Sequence, residues 1–154
     1  MDNRAEMYLA YKKELSALGG QDISWNEAMA EGDLKDIEYA QEEGLANWLD
    51  IRDGKGFVII AKGKGYMTKM DCQYYIGDVY LKPEYRRQGI MTKVFKELFA
   101  ENPGKYGLYI MDNNKVAHSF WSKLVGDRWI YDPKGASSDK CGQEYAFEIE
   151  GNKE

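Results

Sequence analysis

The stretch Asp78-Val79-Tyr80-Leu81-Lys82-Pro83-Glu84-Tyr85-Arg86-Arg87-Gln88-Gly89-Ile90-Met91 passes from strand to loop to helix without a break. Its loop is rich in hydrogen-bond donors: Arg86, Arg87 and Gln88. Gly89 permits close backbone approach or an unusual dihedral. The helix that opens there presents free N–H groups and a partial positive charge. Together these make a cradle for phosphate. It is not a Walker A loop, because no GxxxxGK[ST] occurs.

The elements downstream follow from apolar periodicity. Ile90, Met91, Val94, Phe95, Leu98 and Phe99 form the buried stripe of the helix that starts at Gly89, and Asn102-Pro103-Gly104 ends it. Leu108 to Met111 reads as a short strand. Asn113 or Asn114 caps the next helix, whose stripe is Val116, Ala117, Phe120, Trp121, Leu124 and Val125, and Gly126 ends it. Arg128–Tyr131 and Tyr145–Ile149 read as a final pair of strands around a long, turn-rich loop, Asp132–Gly142.

Upstream, Tyr74–Lys82 is a strand, and Gly77 within it marks a bulge or a close backbone approach. Asn47–Arg52 and Phe57–Lys62 flank Asp53-Gly54, a hairpin signal. Phe57–Ala61 is apolar throughout, which predicts a central strand. Ahead of these lie two helices. The first runs from about Arg4 to Leu18 on a stripe of Met7, Tyr8, Tyr11, Leu15 and Leu18, and Gly19-Gly20 stops it. The second opens at Ser24 through a capping box with Glu27, is interrupted at Gly32, runs to about Glu43 and closes at Gly44. The order of two helices, three strands, helix, strand, helix and two strands predicts an α+β (mixed α/β) sandwich. No repeat, low-complexity tract or linker divides residues 1–154, so one domain is expected.

The composition, 44% hydrophobic and 31% charged, is that of a globular chain. No apolar run approaches the roughly 20 residues of a membrane helix, and the first residues lack the apolar segment of a signal peptide. A cytoplasmic protein that does not engage membranes is expected. Cys72 and Cys141 stand far apart in no CxxC pair, so reduced thiols and no metal site are expected. The net charge of −5 conceals an asymmetry: residues 1–53 carry 13 acidic and 5 basic side chains, residues 54–154 carry 13 and 16. No dense basic patch supports nucleic-acid binding. The mildly basic part suits an anionic cofactor, and the acidic part a cationic partner.

The segment Arg86-x-x-Gly89-x-Met91 resembles the pyrophosphate-binding motif of the GNAT N-acetyltransferase superfamily: Arg or Gln, two residues, Gly, one residue, then Gly or Ala. Met91 departs from its small last residue. Asn114-x-x-Ala117-x-x-Phe120-Trp121, closed by Gly126, resembles the family's Asn-x-x-Ala-x-x-Phe-Tyr element. The run from Phe99 to Trp121 is similar to a poorly characterised subgroup of predicted acetyltransferases. The resemblance covers about residues 46–150. A first strand ahead of the two helices, usual in the family, is not evident.

The resemblance implies an acyl-CoA N-acyltransferase fold: a mixed, mostly antiparallel sheet of about six strands flanked by about four helices, with the strands ending at Lys82 and Met111 splayed apart. It implies acetyl-CoA as acyl donor. Its pyrophosphate would lie on the backbone of Arg87, Gln88, Gly89, Ile90, Met91 and Thr92, with Arg86 or Arg87 nearby. Val79, Tyr80 and Leu81 would present backbone groups to the pantetheine arm and an N–H to the developing oxyanion. Asn114 would hydrogen-bond that arm and Phe120 would flank it. Ala117, Trp121 and Lys123 complete the implied cofactor contacts. The acceptor amine would attack directly in a ternary complex, with Asp78 as base, directly or through a water. The acid that many relatives supply as Tyr is Trp121 here, so Tyr131 or Tyr145 serves, or the thiolate leaves unaided. Tyr75 stands where many relatives carry Glu. His118 falls on the polar side of its helix and reads as a surface residue.

The acceptor expected is a small cationic primary amine, since Glu27, Glu31, Asp33, Asp36 and Glu38 crowd the helices that wall the acceptor cleft in this family, and Asp132 and Asp139 lie in the loop opposite. Polyamines, amino sugars and basic peptides all fit. Two other readings stand beside it: a non-catalytic acyl-CoA-binding sensor or partner module, and an acetyltransferase of protein lysines or N-termini. Either a monomer or a homodimer is compatible with the sequence.

Overall fold

The chain pairs its strands in the order β1-β2-β3-β4-β6-β5. The structure, a computed structural model, describes residues 3–18, 24–63, 65–131 and 142–151. The elements are α1 (Asn3–Leu18), α2 (Glu27–Glu42), β1 (Ala46–Ile51), β2 (Gly56–Lys62), β3 (Tyr74–Leu81), a 3-10 turn (Pro83–Tyr85), α3 (Ile90–Glu101), β4 (Gly104–Met111), α4 (Lys115–Val125), β5 (Trp129–Ile130) and β6 (Gly142–Ile149). Among the described residues four helices thus flank a six-stranded sheet in which the β3–β4 pair alone is parallel. Among the described residues no helix is long and apolar enough to cross a membrane.

β2 is buried on both faces from Gly56 to Ala61, as its apolar run requires. Its alternate residues feed two cores. Val58 and Ile60 join Phe95, Phe99, Trp121, Leu124 and Val125 under α3 and α4. Phe57 and Ile59 join Met7, Tyr8, Leu34 and Ile37 under α1 and α2. Each large apolar side chain buried this way contributes about 1.5–3 kcal/mol relative to exposure.

Several boundaries differ from the sequence reading. Ser24 does not cap α2. Asn26 does, its side chain accepting from the Met29 N–H, because Asn lies immediately before the first helical residue. Gly32 does not interrupt α2, since the four-residue spacing of Ala30, Leu34, Ile37 and Ala40 anchors the helix on both sides of it. β4 begins at Gly104, well before Leu108, because it pairs with β6 along its whole length. Arg128–Tyr131 shrinks to a two-residue strand at the sheet edge. Most of the Asp132–Gly142 loop, and with it Asp132, Asp139 and Cys141, lies outside the described residues.

Two glycines shape the strand next to the site. Opposite Ile59 and Ile60, β3 holds an extra residue, Gly77: Ile59 faces Asp78, whereas Ile60 faces Ile76. This is a β-bulge. A Cβ there would lie 2.4 Å from the Met67 sulfur, so the glycine marks both a bulge and a close approach. At the other end, a Cβ on Gly56 would lie 2.2 Å from the Tyr80 carbonyl oxygen and 2.9 Å from the Leu81 Cα. Only glycine lets β2 pair with β3 at that point.

Candidate active site

The parallel strands β3 and β4 pair at Tyr74–Tyr106, Tyr75–Gly107 and Ile76–Leu108 only. Beyond the bulge they diverge, as expected for the strands that end at Lys82 and Met111. The β3 edge over Val79, Tyr80 and Leu81 therefore faces a gap in the sheet instead of a strand partner. Sheet edges left this way carry unpaired N–H and C=O groups.

At the end of that gap stands the start of α3. Gly89 precedes the helix in the left-handed region, at φ +75°, and Arg87 shares that region at +63°. No side chain caps the helix. The N–H groups of its first turn have no intrahelical acceptor. A Cβ on Gly89 would meet no atom within 4 Å, so the space over the helix start is open. An open depression of about 640 Å³ runs from Gly89 along Thr92, Lys93, Lys96 and Glu97. An uncapped helix start, an open approach and two lysines fit a bound pyrophosphate.

Arg86 is differently engaged. Its guanidinium makes a two-pronged ion pair with Glu14 of α1, at 2.9 and 2.8 Å, its Nε donates to the Leu81 carbonyl at 2.8 Å, and the group stacks over Tyr80. Arg86 therefore ties α1 to the end of β3. Arg87 and Gln88 are exposed, and Gln88 donates back to the Glu84 carbonyl.

Asn114 caps α4, its side-chain oxygen accepting from the Ala117 N–H at 3.2 Å. Trp121 is buried in the core, edge-on to Phe95, and Phe120 is half-buried beside it. Lys123 is exposed. Tyr131 is 89% exposed beyond β5, the outermost strand. Tyr145 lies on the α3–α4 face, edge-on to His118, in a cavity of about 270 Å³ shared with Ile110, Ser122, Trp129 and Ile130. His118 is half-buried, with a ring nitrogen 3.1 Å from the Met111 carbonyl oxygen.

Asp78 lies on the opposite, α1–α2 face. Its Oδ1 accepts from the Tyr11 hydroxyl at 2.5 Å. Burial raises its pKa, while the Tyr11 hydrogen bond and the Lys12 ammonium pull it down and Asp33 raises it further. Burial first, then the carboxylates of Asp78 and Asp33, push the Tyr8 phenol up. Of the acidic residues in α2, Asp33 and Asp36 couple to this cluster, Asp36 through Tyr66. Glu38 instead pairs with Arg4 at 2.8 Å, and Glu27, Glu31 and Asp36 are exposed.

A second carboxylate was not anticipated from the sequence. Glu144 of β6 receives both the Thr68 hydroxyl, at 2.9 Å, and the Tyr75 hydroxyl, at 3.2 Å, on one oxygen. Tyr75, where many relatives carry a carboxylate, thus holds one supplied from another strand. The phenol of Tyr75 is raised by burial first, then by Glu144, and also by Asp78. Its own sequence neighbours gave no signal of this pairing. Among the described residues no group of three or more His, Cys, Asp or Glu could hold a metal ion.

Comparison with known proteins places this geometry. Over 90 residues the chain is 31% identical to the thialysine N-epsilon-acetyltransferase of Sus scrofa, covering 56% of this chain and 52% of that relative, so it spans about half the relative's length. The structure is similar to an acetyltransferase from Thermus thermophilus, with a TM-score of 0.66 at 10% identity over 94% of this chain and 90% of that one. It is also similar to a PaiA N-acetyltransferase from Thermoplasma acidophilum solved in complex with coenzyme A, with a TM-score of 0.58 at 17% identity over 95% and 91%. Residues 10–126 match the Acetyltransferase (GNAT) family. The chain belongs to that family.

Proposed function

We propose that residues 1–154 form one acetyl-CoA-dependent N-acyltransferase domain that acetylates the primary amine of a small cationic acceptor by direct attack in a ternary complex. The observation that carries this reading is the gap between β3 and β4 leading to the uncapped, open start of α3. Acetyl-CoA would supply an acyl group activated as a thioester. The N–H groups of the first turn of α3 hold the pyrophosphate, and the unpaired edge of Val79, Tyr80 and Leu81 orients the pantetheine arm. Much of the rate then comes from positioning. An N–H on that edge is placed to stabilise developing negative charge.

Asp78 takes the ammonium proton. Its raised pKa brings it nearer neutrality, where a base both stays ionised and accepts a proton readily. The acceptor's charge is read from Asp33, Asp78 and Glu144, which are linked to one another through Tyr8 and Tyr75. The relative named for thialysine supports an amine acceptor of that size and charge. Burial of Trp121 in the core favours a second reading, a module that binds acyl-CoA without turnover, because that position supplies no acid.

The test is CoA release from acetyl-CoA with thialysine, polyamines, amino sugars and neutral amines, run beside calorimetric CoA binding. Release with cationic acceptors supports the enzyme. Binding without release across the panel supports the second reading. Equal or higher kcat/KM for neutral amines at low salt contradicts the acceptor assignment.

A further inference from the structure

The bulge at Gly77 decides where Asp78 points. Strand side chains alternate between faces, so one inserted residue reverses the phase of the residues after it. Ile76 lies in the core under α3 and α4. In a strand pleated regularly through Gly77 the residue at 78 would share that apolar face. With the bulge, Asp78 faces Ile59 and α1. The carboxylate is turned out of one core and toward Tyr11 of α1.

There it meets a clamped phenol. The ring of Tyr11 packs against Phe57 at 5.6 Å, Tyr8 at 6.0 Å and Tyr80 at 6.1 Å. Its hydroxyl donates to Asp78 Oδ1 at 2.5 Å and leaves Oδ2 for another donor. Lys12, the next residue of α1, lies over the rings of Tyr8, Tyr11 and Trp25 at 5.3, 5.6 and 5.5 Å. The charged and titratable groups that face Asp78 are therefore Tyr8, Tyr11 and Lys12 from α1, Asp33 from α2, Tyr75 on its own strand, and Tyr66 from the β2–β3 connection.

We propose that Tyr11 is a positioning residue for the proton transfer: its clamped hydroxyl holds one oxygen of Asp78 and presents the other to the acceptor amine. This rests on the reading of Asp78 as the base. The acceptor nitrogen gives its proton to Oδ2 before its lone pair forms the N–C bond and the C–S bond breaks, the electron pair leaving with the thiolate. Tyr11 keeps its own proton throughout, since burial and Asp78 push its phenol well above the ordinary range. A donor to a carboxylate favours the ionised form. Loss of that donor therefore raises the pH at which Asp78 ionises.

The experiment compares wild type, Tyr11→Phe and Asp78→Asn in two readouts. The first is the pH titration of the Asp78 carboxyl carbon by NMR in 13C-labelled protein, which needs no acceptor. The second is kcat/KM against pH with thialysine as the probe. In Tyr11→Phe the carboxyl should titrate at higher pH than in wild type. kcat/KM should fall about tenfold at the acid end, the loss of one charge-assisted hydrogen bond, and by less at the alkaline end, where Asp78 is ionised in both proteins and only the lost positioning remains. The KM for acetyl-CoA should not change. A Tyr11→Phe protein whose Asp78 titrates as in wild type overturns the positioning role. An Asp78→Asn protein that keeps the wild-type acid limb overturns the assignment of the base, so the two failures are read from different variants. Tyr11→Phe keeps the packed ring. In wild type the Tyr11 hydroxyl proton adds a check that needs no variant: a resonance indifferent to the titration of Asp78 also overturns the proposal.

Discussion

The two faces of the sheet are built by different means. The α3–α4 face is an apolar core, and its proposed contribution to the site is backbone: an uncapped helix start, Gly89 at positive φ and an unpaired strand edge. The α1–α2 face contributes side chains that meet from far apart in the chain. Tyr11 reaches Asp78 across 67 positions, and Thr68 reaches Glu144 across 76. In the proposed function, one face binds through geometry that any side chain of the right shape preserves. The other depends on individual hydroxyls and carboxylates. Substitutions should therefore separate cofactor binding from turnover.

The largest effects should come from the two cores. Phe95→Ala and Phe57→Ala each remove a fully buried ring and should cost about 3–5 kcal/mol of stability in urea unfolding. Per folded molecule they should differ. Phe95→Ala loosens α3 and should raise the KM for acetyl-CoA. Phe57→Ala frees the ring of Tyr11 and should lower kcat. The same change of KM and kcat in both variants would break the comparison.

A smaller effect, at about 1 kcal/mol, is expected for Asn114→Ala. The structure gives its side chain to the cap of α4, so the cost should appear in stability by thermal or urea unfolding. Any loss of CoA affinity should stay within the roughly 0.5–1.5 kcal/mol of one hydrogen bond. The smallest effect on stability concerns Asp78. Its folded pKa lies above the unfolded value, so the folded state bears a cost that is absent below the unfolded pKa and grows as pH rises through the folded one. Asp78→Asn should thus lose activity yet gain stability relative to wild type near pH 7, and the gain should vanish in acid. A constant stability difference across pH would show that the carboxylate carries no such cost.

The same contrast explains what could be read from the residues. Gly77 marked a bulge and Gly89 a helix start because the backbone demands there are local. The stripes of α3 and α4 followed from their own periodicity. The acceptor side was legible only as charge: the acidic residues of α2 were visible, yet nothing in the sequence separated Asp33, which acts on Tyr8 and Asp78, from Glu38, which pairs with Arg4. Glu144 escaped notice because Tyr75 and Thr68 lie on a different strand and loop, and strand pairing brings them together. Tyr11 looked like one more apolar position of α1, since only the phase shift at Gly77 gives its hydroxyl a partner. Arg86 shows the reverse: its place in the motif was plain, and its ion pair with Glu14 was not.

The central claim is that the backbone at the start of α3 holds the cofactor. Calorimetric titration of acetyl-CoA into wild type and Gly89→Val tests it directly. Valine at φ +75° is strained by about 1–2 kcal/mol, and its side chain would project into the space over the helix start that is open now. Saturable one-site binding to wild type, weakened at least about tenfold in a folded Gly89→Val protein, is the result expected. Equal affinity in the two proteins would contradict the account.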